Sequence, residues 1–539
     1  MIARLRQKIH RLRKIISRTR WVVRLLNLPI CENSQPGPGL ILIQVDGLSY
    51  NQFHKALKTK RLPFLRKQIQ QGNYTVKPFY SGMPSTTPAV QGELFYGVKT
   101  CVPAFEFISR ENNQHHISFY PQTANFLAQR LEKQGYPLLA GGSAYSTIFT
   151  GGAEEARYCS QTMGLKSIAR TVNPFKFMLI LILHIGKLFR ILAVSLIEFF
   201  LAIMDFFRGI VRGKKFFKEL VFIPSRIIVC VLLRELVRFR IKMDVNRGVP
   251  IVCANLLAYD EQSHRRGPDS RFAHWSLKGI DDTIKDICRA ASRSDCREYQ
   301  TIVYSDHGQE AVTDYASLYG INVKDAIHQA FYSRENNSGN TYSGNSDKEL
   351  ANLHKRARSF LLNRRALNNQ QTDPSLSSHQ SLKITTMGPL GHIYLPAPFT
   401  RDLIYDFAVT LIQEIHIPLV LFQDNNIIKA INQHGTFDLE SQPEKILGRD
   451  HPFLWQVSED LARVCRHSDA GDMVISGWDP AKPPLSFNVQ SGAHGGPGKE
   501  ETRAVILLPD GLGSEKPYLR GLDLRHLVMK SLGIPHTND

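Results

Sequence analysis

No Cys-x-x-Cys pair occurs in the chain. Its eight cysteines are scattered at Cys31, Cys101, Cys159, Cys230, Cys253, Cys288, Cys296 and Cys465. Several sit inside apolar runs, where cysteine behaves as a small buried hydrophobe. This spacing indicates neither a disulfide framework nor a thiolate zinc site, and reduced structural thiols are expected. Also missing is a run of about 20 apolar residues free of charge, the length that spans a bilayer. The most apolar region, 177–240, is broken by Lys187, Arg190, Glu198, Asp205, Arg208 and Arg212. The uninterrupted apolar stretch of a secretory signal does not follow the basic start. Acidic residues are in deficit: 48 Asp and Glu stand against 67 Lys and Arg, a net charge of +19. Such a balance favours anionic partners, whether nucleic acid, acidic lipid head groups or phosphorylated substrates. Aromatics interleaved with the basic residues would mark the first of these, and the basic N-terminus offers Trp21 alone. Nucleic acid is therefore set aside.

What is present is ordinary globular substance, 43% hydrophobic over 539 residues, enough for a large core and an insertion or second domain. After Pro36–Gly39 the apolar run Leu40–Val45 stops at Asp46-Gly47, the pattern of a buried parallel-sheet strand. The pattern recurs at Ile251–Leu257 before Tyr259-Asp260, at Thr301–Tyr304 before Asp306-His307-Gly308, and at Ala504–Leu508 before Pro509-Asp510-Gly511. Helical patterns such as Thr123–Gln134 and Ile280–Ala291 lie between these runs. The alternation predicts an α/β fold with a largely parallel central sheet flanked by helices. Ligands of such sheets bind beyond the carboxyl ends of the strands, which is where the acids and histidines fall.

The expected organisation is a basic amphipathic N-terminal helix over 1–37, then a core from 38–165, 246–330 and 470–539. An amphipathic, apolar helical insertion occupies 166–245, and a flexible polar insertion with a small α+β subdomain occupies 331–469. Residues 1–30 and 177–240 are expected to meet an anionic membrane surface from the cytoplasmic side, leaving the chain cytoplasmic and peripheral to the inner face. The competing expectation packs both segments on the protein's own body.

Asp260 and His264 are four apart, close enough to converge on one ion, while Asp306 and His307 adjoin just past a strand. His494 sits in a glycine-rich loop that permits close backbone approach. Imidazole and carboxylate without thiolate suit catalytic zinc, or manganese in a harder site. Pro84-Ser85-Thr86-Thr87-Pro88 reads as a turn and helix cap, or as a hydroxyl at a helix start facing phosphate.

The ordered set Asp46-Gly47, Pro84-Ser85-Thr86-Thr87, Asp260-x-x-x-His264, Asp306-His307-Gly308 and His494-Gly495-Gly496 resembles the alkaline phosphatase superfamily, closest to its type I phosphodiesterase/nucleotide pyrophosphatase branch. It covers roughly residues 38–160, 248–310 and 470–535. The resemblance implies an alkaline-phosphatase-like fold and two divalent metal ions, most simply zinc, with manganese the alternative. Asp46, Thr87, Asp306 and His307 would hold the ion that activates the nucleophile, and Asp260, His264 and His494 the other. It implies Thr87 as nucleophile, by its fourth place counted from Pro84, with Thr86 in reserve because the threonine is doubled. Tyr96-Gly97 stands where the family has Thr-Gly. The implied substrate is a phosphate ester, hydrolysed by double displacement at a phosphodiester or pyrophosphate bond. The alternatives are a phosphomonoesterase on the same scaffold, or a non-catalytic membrane-associated binding protein that keeps a retired hydrolase core. Substrate and oligomeric state stay open.

Overall fold

The computed structural model describes residues 18–26, 28, 31, 37–163, 185–211, 220, 223–224, 226–337, 381–396 and 399–534. Most of the basic N-terminal segment, parts of 166–245 and positions 338–380 of the polar insertion lie outside the described residues.

In chain order, the strands of the two large sheets are β1 (Gly39–Val45), β2 (Tyr74–Tyr80), β3 (Ser143–Tyr145), β4 (Glu155–Arg157), β5 (Ile251–Leu256), β6 (Tyr299–Tyr304), β7 (Lys383–Met387), β8 (Leu390–Tyr394), β9 (Leu419–Asp424), β10 (Ile427–Asn432), β11 (Gly435–Asp438), β12 (Met473–Ser476), β13 (Arg503–Pro509) and β14 (Leu519–Arg520). The helices that matter most for the site are α1 (Thr87–Tyr96), α2 (Ile185–Val211), α3 (Arg234–Arg247), α4 (Ala258–Arg266) and α5 (Arg271–Ala291).

The main sheet runs in the order β14-β2-β13-β6-β1-β5-β3-β4. It is mixed α/β, with a central, largely parallel sheet flanked by helices, consistent with an alkaline-phosphatase-like fold. Every residue of β1 is buried, because helices cover both faces. Leu40 and Leu42 point into one apolar cluster with Leu94 and Phe95 of α1, while Ile41 and Ile43 point into the other with Val237, Ile241 and Leu277 of α3 and α5. The period of two along the strand thus divides its side chains between two cores.

One strand runs against the rest. β13 is antiparallel to both β6 and β2. Its sequence, Ala504–Leu508 before Pro509-Asp510-Gly511, reads like the parallel strands. Its reversed direction carries those turn residues to the opposite edge and brings its N-terminal end to the edge where β1, β5 and β6 finish.

The second sheet is antiparallel throughout, ordered β7-β8-β12-β9-β10-β11, with apolar clusters on its two faces. Its strand β12 pairs with both β8 and β9, three residues past the boundary at 470 where the sequence pattern returns to the core. A buried polar clamp ties the two sheets together. Arg520 binds Glu93 of α1 through Nε at 2.6 Å and NH2 at 2.9 Å, and also reaches Asp460 at 3.1 Å, where Tyr80 donates from its hydroxyl.

The eight cysteines are free thiols, buried or half-buried. Among the described residues no helix is long and apolar enough to cross a membrane. The 27-residue α2 instead lies along the body, and its deeply buried Glu198 accepts from Arg226 Nε at 2.8 Å and from Trp275 Nε1 at 2.9 Å.

Candidate active site and metal centre

Five backbone elements converge at the edge where β1, β5 and β6 end. Asp46 follows β1, Asp306 and His307 follow β6, and Asp260 and His264 stand one turn apart on α4, just beyond β5. Thr87 opens α1 after the loop from β2, and His494 comes from the glycine loop that leads into β13. Gly47 makes the approach of the first and third elements feasible. Its φ is +74°, and a Cβ there would fall onto the Asp260 carboxylate.

The seven residues form two adjoining groups. In the deeper one, His307 Nε2 lies 3.4 Å from Asp46 Oδ1, 3.4 Å from Asp306 Oδ2 and 3.3 Å from the Thr87 hydroxyl. In the outer one, Asp260 stands 3.2 Å from His264 Nε2 and 4.0 Å from His494 Nε2. The rings of His264 and His494 are 5.0 Å apart, and those of His307 and His494 stack at 3.7 Å. Donor atoms of Asp46, Asp306 and His307 lie within 4.8 Å of one another, as do those of Asp260, His307 and His494.

Three features fit cations. First, both carboxylate oxygens of Asp306 and Oδ1 of Asp46 are buried without a hydrogen-bond partner among the described residues. Buried oxygens of this kind carry a large desolvation cost unless a charge compensates them. Second, each imidazole has its Nδ1 against a backbone carbonyl: His264 on Gly492, His307 on Gly308 and His494 on Ser85, each at 2.9 Å. A carbonyl only accepts, so Nδ1 carries a proton and Nε2 is the nitrogen turned toward the site, the orientation of metal-ligating histidines. Third, the protein's own charges do not balance in the deeper group. Burial, then Asp306 and Asp260, push the Asp46 carboxyl well above its ordinary range. Burial likewise raises Asp306, against the attraction of His307. In the outer group burial opposes ionisation of Asp260, but His264, His494 and His307 outweigh it and hold the carboxyl low. His264 rises to about 9: burial works against its charge, and Asp260 overcomes that. Burial and then His307 depress His494.

Several functional neighbours carry no motif of their own. Asn255 donates to Asp46 Oδ2 at 2.6 Å, orienting one carboxylate oxygen and leaving the other toward His307. Gln309 donates to Asp260. Glu501, fully buried, accepts from the amides of Gly496 and Gly498, each at 2.8 Å, and from the Ser85 hydroxyl at 3.3 Å. The loop bearing His494 is thereby tied to the loop bearing Thr87. Asn255 left one signal in the sequence, an amide inside an otherwise apolar strand run, whereas Glu501 looks like any acid in the solvated string Lys499-Glu500-Glu501.

The doubled threonine separates cleanly in space. Thr87 Oγ1 faces His307, while Thr86 Oγ1 is buried with no hydrogen-bond partner among the described residues and its methyl lies toward Gly495.

Residues 246–398 match the family model described as type I phosphodiesterase / nucleotide pyrophosphatase, within the alkaline phosphatase superfamily. The match indicates a phosphate ester hydrolase. The matched segment holds Asp260, His264, Asp306 and His307, and it runs past residue 310 into the strands of the second sheet. Asp46, Thr87 and His494 lie outside it and join the site through the fold. No curated protein matches the chain.

Proposed function

We propose that the protein hydrolyses phosphodiester or pyrophosphate bonds with Thr87 as nucleophile and two divalent cations, zinc first and manganese as the alternative. The observation that carries the reading is the Thr87 hydroxyl, at the first turn of α1 and 3.3 Å from His307 Nε2 inside a cluster of partnerless carboxylate oxygens. Asp46, Thr87, Asp306 and His307 would hold one ion, and Asp260, His264 and His494 the other. When bound, such ions lower the pKa of a hydroxyl and neutralise charge on a leaving oxygen.

The chain's own residues supply the rest. Thr87 Oγ1 attacks phosphorus in line, the ester P–O bond breaks, and the leaving alkoxide is protonated to an alcohol. Water then cleaves the Oγ1–P bond, so the net change is diester plus water to monoester plus alcohol. The first turn of α1 directs its positive dipole end at the phosphoryl group. Asn255 and the carbonyls of Gly308, Gly492 and Ser85 keep carboxylate and imidazoles aimed, so the geometry exists before substrate arrives. The same reading keeps the chain peripheral to the inner face of a membrane, with its basic N-terminus toward acidic lipid.

The test compares wild type with Thr87→Ala, each loaded with zinc or manganese, on bis-p-nitrophenyl phosphate, p-nitrophenyl phosphate and the p-nitrophenyl ester of thymidine monophosphate. Metal-dependent turnover that favours the diesters and disappears in the variant is expected. Preference for the monoester overturns the bond assignment, and failure to bind metal overturns the mechanism.

A further inference from the structure

Helix α2 is amphipathic in the reverse sense. Phe189, Leu192, Leu196, Phe200, Met204 and Phe207 recur at steps of three and four and form one stripe about 27 Å long. These six side chains are between 50% and 67% exposed, whereas Glu198 and Ala202 on the opposite face are buried. The polar face is the one fastened down. Glu198 is held by Arg226 and Trp275, and Arg190 reaches Asp282 of α5 at 3.0 Å. Ile228, Leu232 and Leu236, at four-residue spacing on the segment running into α3, add a second exposed row. Together the apolar area is on the order of 900 Å², against about 300–600 Å² for the largest patch of a typical soluble monomer.

The segment that bears the second row also adjoins a helix of the site. The π-helical turn Ile228–Leu233 packs on α4, where Cys230 Sγ meets the Ala258 carbonyl at 3.8 Å and Gln262 Nε2 reaches Cys230 Sγ at 3.4 Å. Asp260 and His264 stand on that same helix. At its other end the α3 region receives the helix Arg18–Leu25, whose Val22 and Val23 bury against Met243 while Trp21 and Arg24 face outward. The first acidic residue of the chain is Glu32, after nine Lys and Arg, and the whole chain carries +19.

We propose that this apolar surface docks on an anionic lipid bilayer and that the substrate is a headgroup phosphodiester of an amphiphile in that bilayer. Apolar side chains enter the acyl boundary while the chain's positive charge is drawn to acidic head groups. The segment that carries the second exposed row packs through Cys230 on α4, the helix that bears Asp260 and His264, and this nearness supports the substrate half. The substrate half of this inference rests on the hydrolase reading above; the docking half does not. Thr87 Oγ1 attacks the lipid phosphorus, the P–O bond to one alcohol breaks, and water releases the phosphomonoester.

The experiment uses the full-length, zinc-loaded protein and the variant Phe189→Glu/Phe200→Glu/Phe207→Glu, whose substitutions all fall on exposed positions. Vesicles are phosphatidylcholine alone or with about 30 mol% phosphatidylglycerol. Flotation, release of phosphate-bearing lipid products and turnover of bis-p-nitrophenyl phosphate are read in parallel. Expected are wild-type binding that prefers the anionic vesicles, phosphatidylglycerol cleavage, and a loss of both by about tenfold or more in the variant, with soluble-diester turnover unchanged. Absence of wild-type vesicle binding overturns the docking. So does vesicle binding that survives the triple substitution, and a dimer that then falls to monomer makes the face a contact between copies. Vesicle binding with soluble-diester turnover but no lipid cleavage overturns the substrate class. Vesicle binding with no turnover of any ester leaves the docking upheld and defeats the hydrolase reading instead.

Discussion

The sheet edge and helix α2 break the same rule in opposite directions. At the edge, Asp46, Asp306 and His307 are buried with carboxylate oxygens unpartnered; on α2, phenylalanines and leucines face outward while Glu198 is buried. Folding alone would favour the reverse in both places, since burying an uncompensated charge costs free energy and exposing a large apolar side chain forgoes it. The two regions differ in how they are balanced. Glu198 has its partners within the chain, in Arg226 and Trp275, so the inverted helix is anchored without a ligand. In the deeper group of the site Asn255 satisfies one oxygen of Asp46, but Asp46 Oδ1 and both oxygens of Asp306 have no hydrogen-bond partner among the described residues, and His307 is the one cation-forming group beside them. A buried charge with its partner present therefore reads as scaffold, and one without reads as a site.

The largest effect expected from this contrast is catalytic. Thr87→Ala removes the hydroxyl and leaves the carboxylates, so turnover falls by about 10³-fold or more while zinc still binds. Thr86→Ala, one residue away but facing Gly495, should change turnover by less than about tenfold. Reversal of that order, read by steady-state kinetics with calorimetric zinc titrations, moves the nucleophile back by one residue.

Next comes the sign of a charge deletion. Asp306→Asn removes one of two mutually repelling buried acids, so the metal-free chain at pH 8 should be more stable than wild type by roughly 1–2 kcal/mol. The same variant should lose most of the stabilisation that zinc confers. Glu198→Ala should do the opposite. It strands Arg226 in the interior and costs about 3–5 kcal/mol with or without metal. If both variants destabilise the metal-free chain alike, the distinction between scaffold and site fails. Calorimetric scans with and without chelator decide it.

A smaller effect tests the loop support. Burial and the adjacent Glu310 raise Glu501 to about 8 from an ordinary value of 4.5. A carboxyl raised in the folded state keeps its proton there longer than in the unfolded chain. Its stabilising contribution is full below about 4.5 and is lost as pH climbs through about 8. Glu501→Gln cannot ionise and should flatten the decline of stability across that window, by at most about 1.4 kcal/mol per pH unit. Denaturant midpoints at pH 6 and 8.5 read the difference, and parallel curves for the two proteins refute it.

The sequence made much of the site legible because parallel strands place their turn residues at one edge. Asp46, Asp260 and Asp306 each follow an apolar run, and the structure brings all three together with His264, His307 and His494. The direction of β13 was hidden, since Ala504–Leu508 has the composition of its parallel neighbours and pairing direction depends on partners far away in sequence. Asn255 and Glu501 were hidden for the same reason: what they hold lies over 200 and over 400 residues away, at Asp46 and Ser85. On α2 the charged stripe through Glu198 was readable from spacing, but the side that meets the body was not. Spacing fixes which residues share a face, and only the partner, here Arg226 and Trp275, decides where that face points.

The smallest effect bears most directly on that point. Leu196 is 56% exposed at the middle of the outer stripe, two residues from Glu198. If the stripe is surface in the isolated protein, Leu196→Gln should shift stability by no more than about 0.5 kcal/mol, the scatter of ordinary surface substitutions. If instead the stripe were covered by the protein's own body, the same change would bury an amide and cost about 1–3 kcal/mol. Denaturant unfolding in buffer separates the two. Repeated with anionic vesicles present, the measurement turns the comparison around: the wild type should then be the more stable, because only its apolar side chain gains by entering lipid.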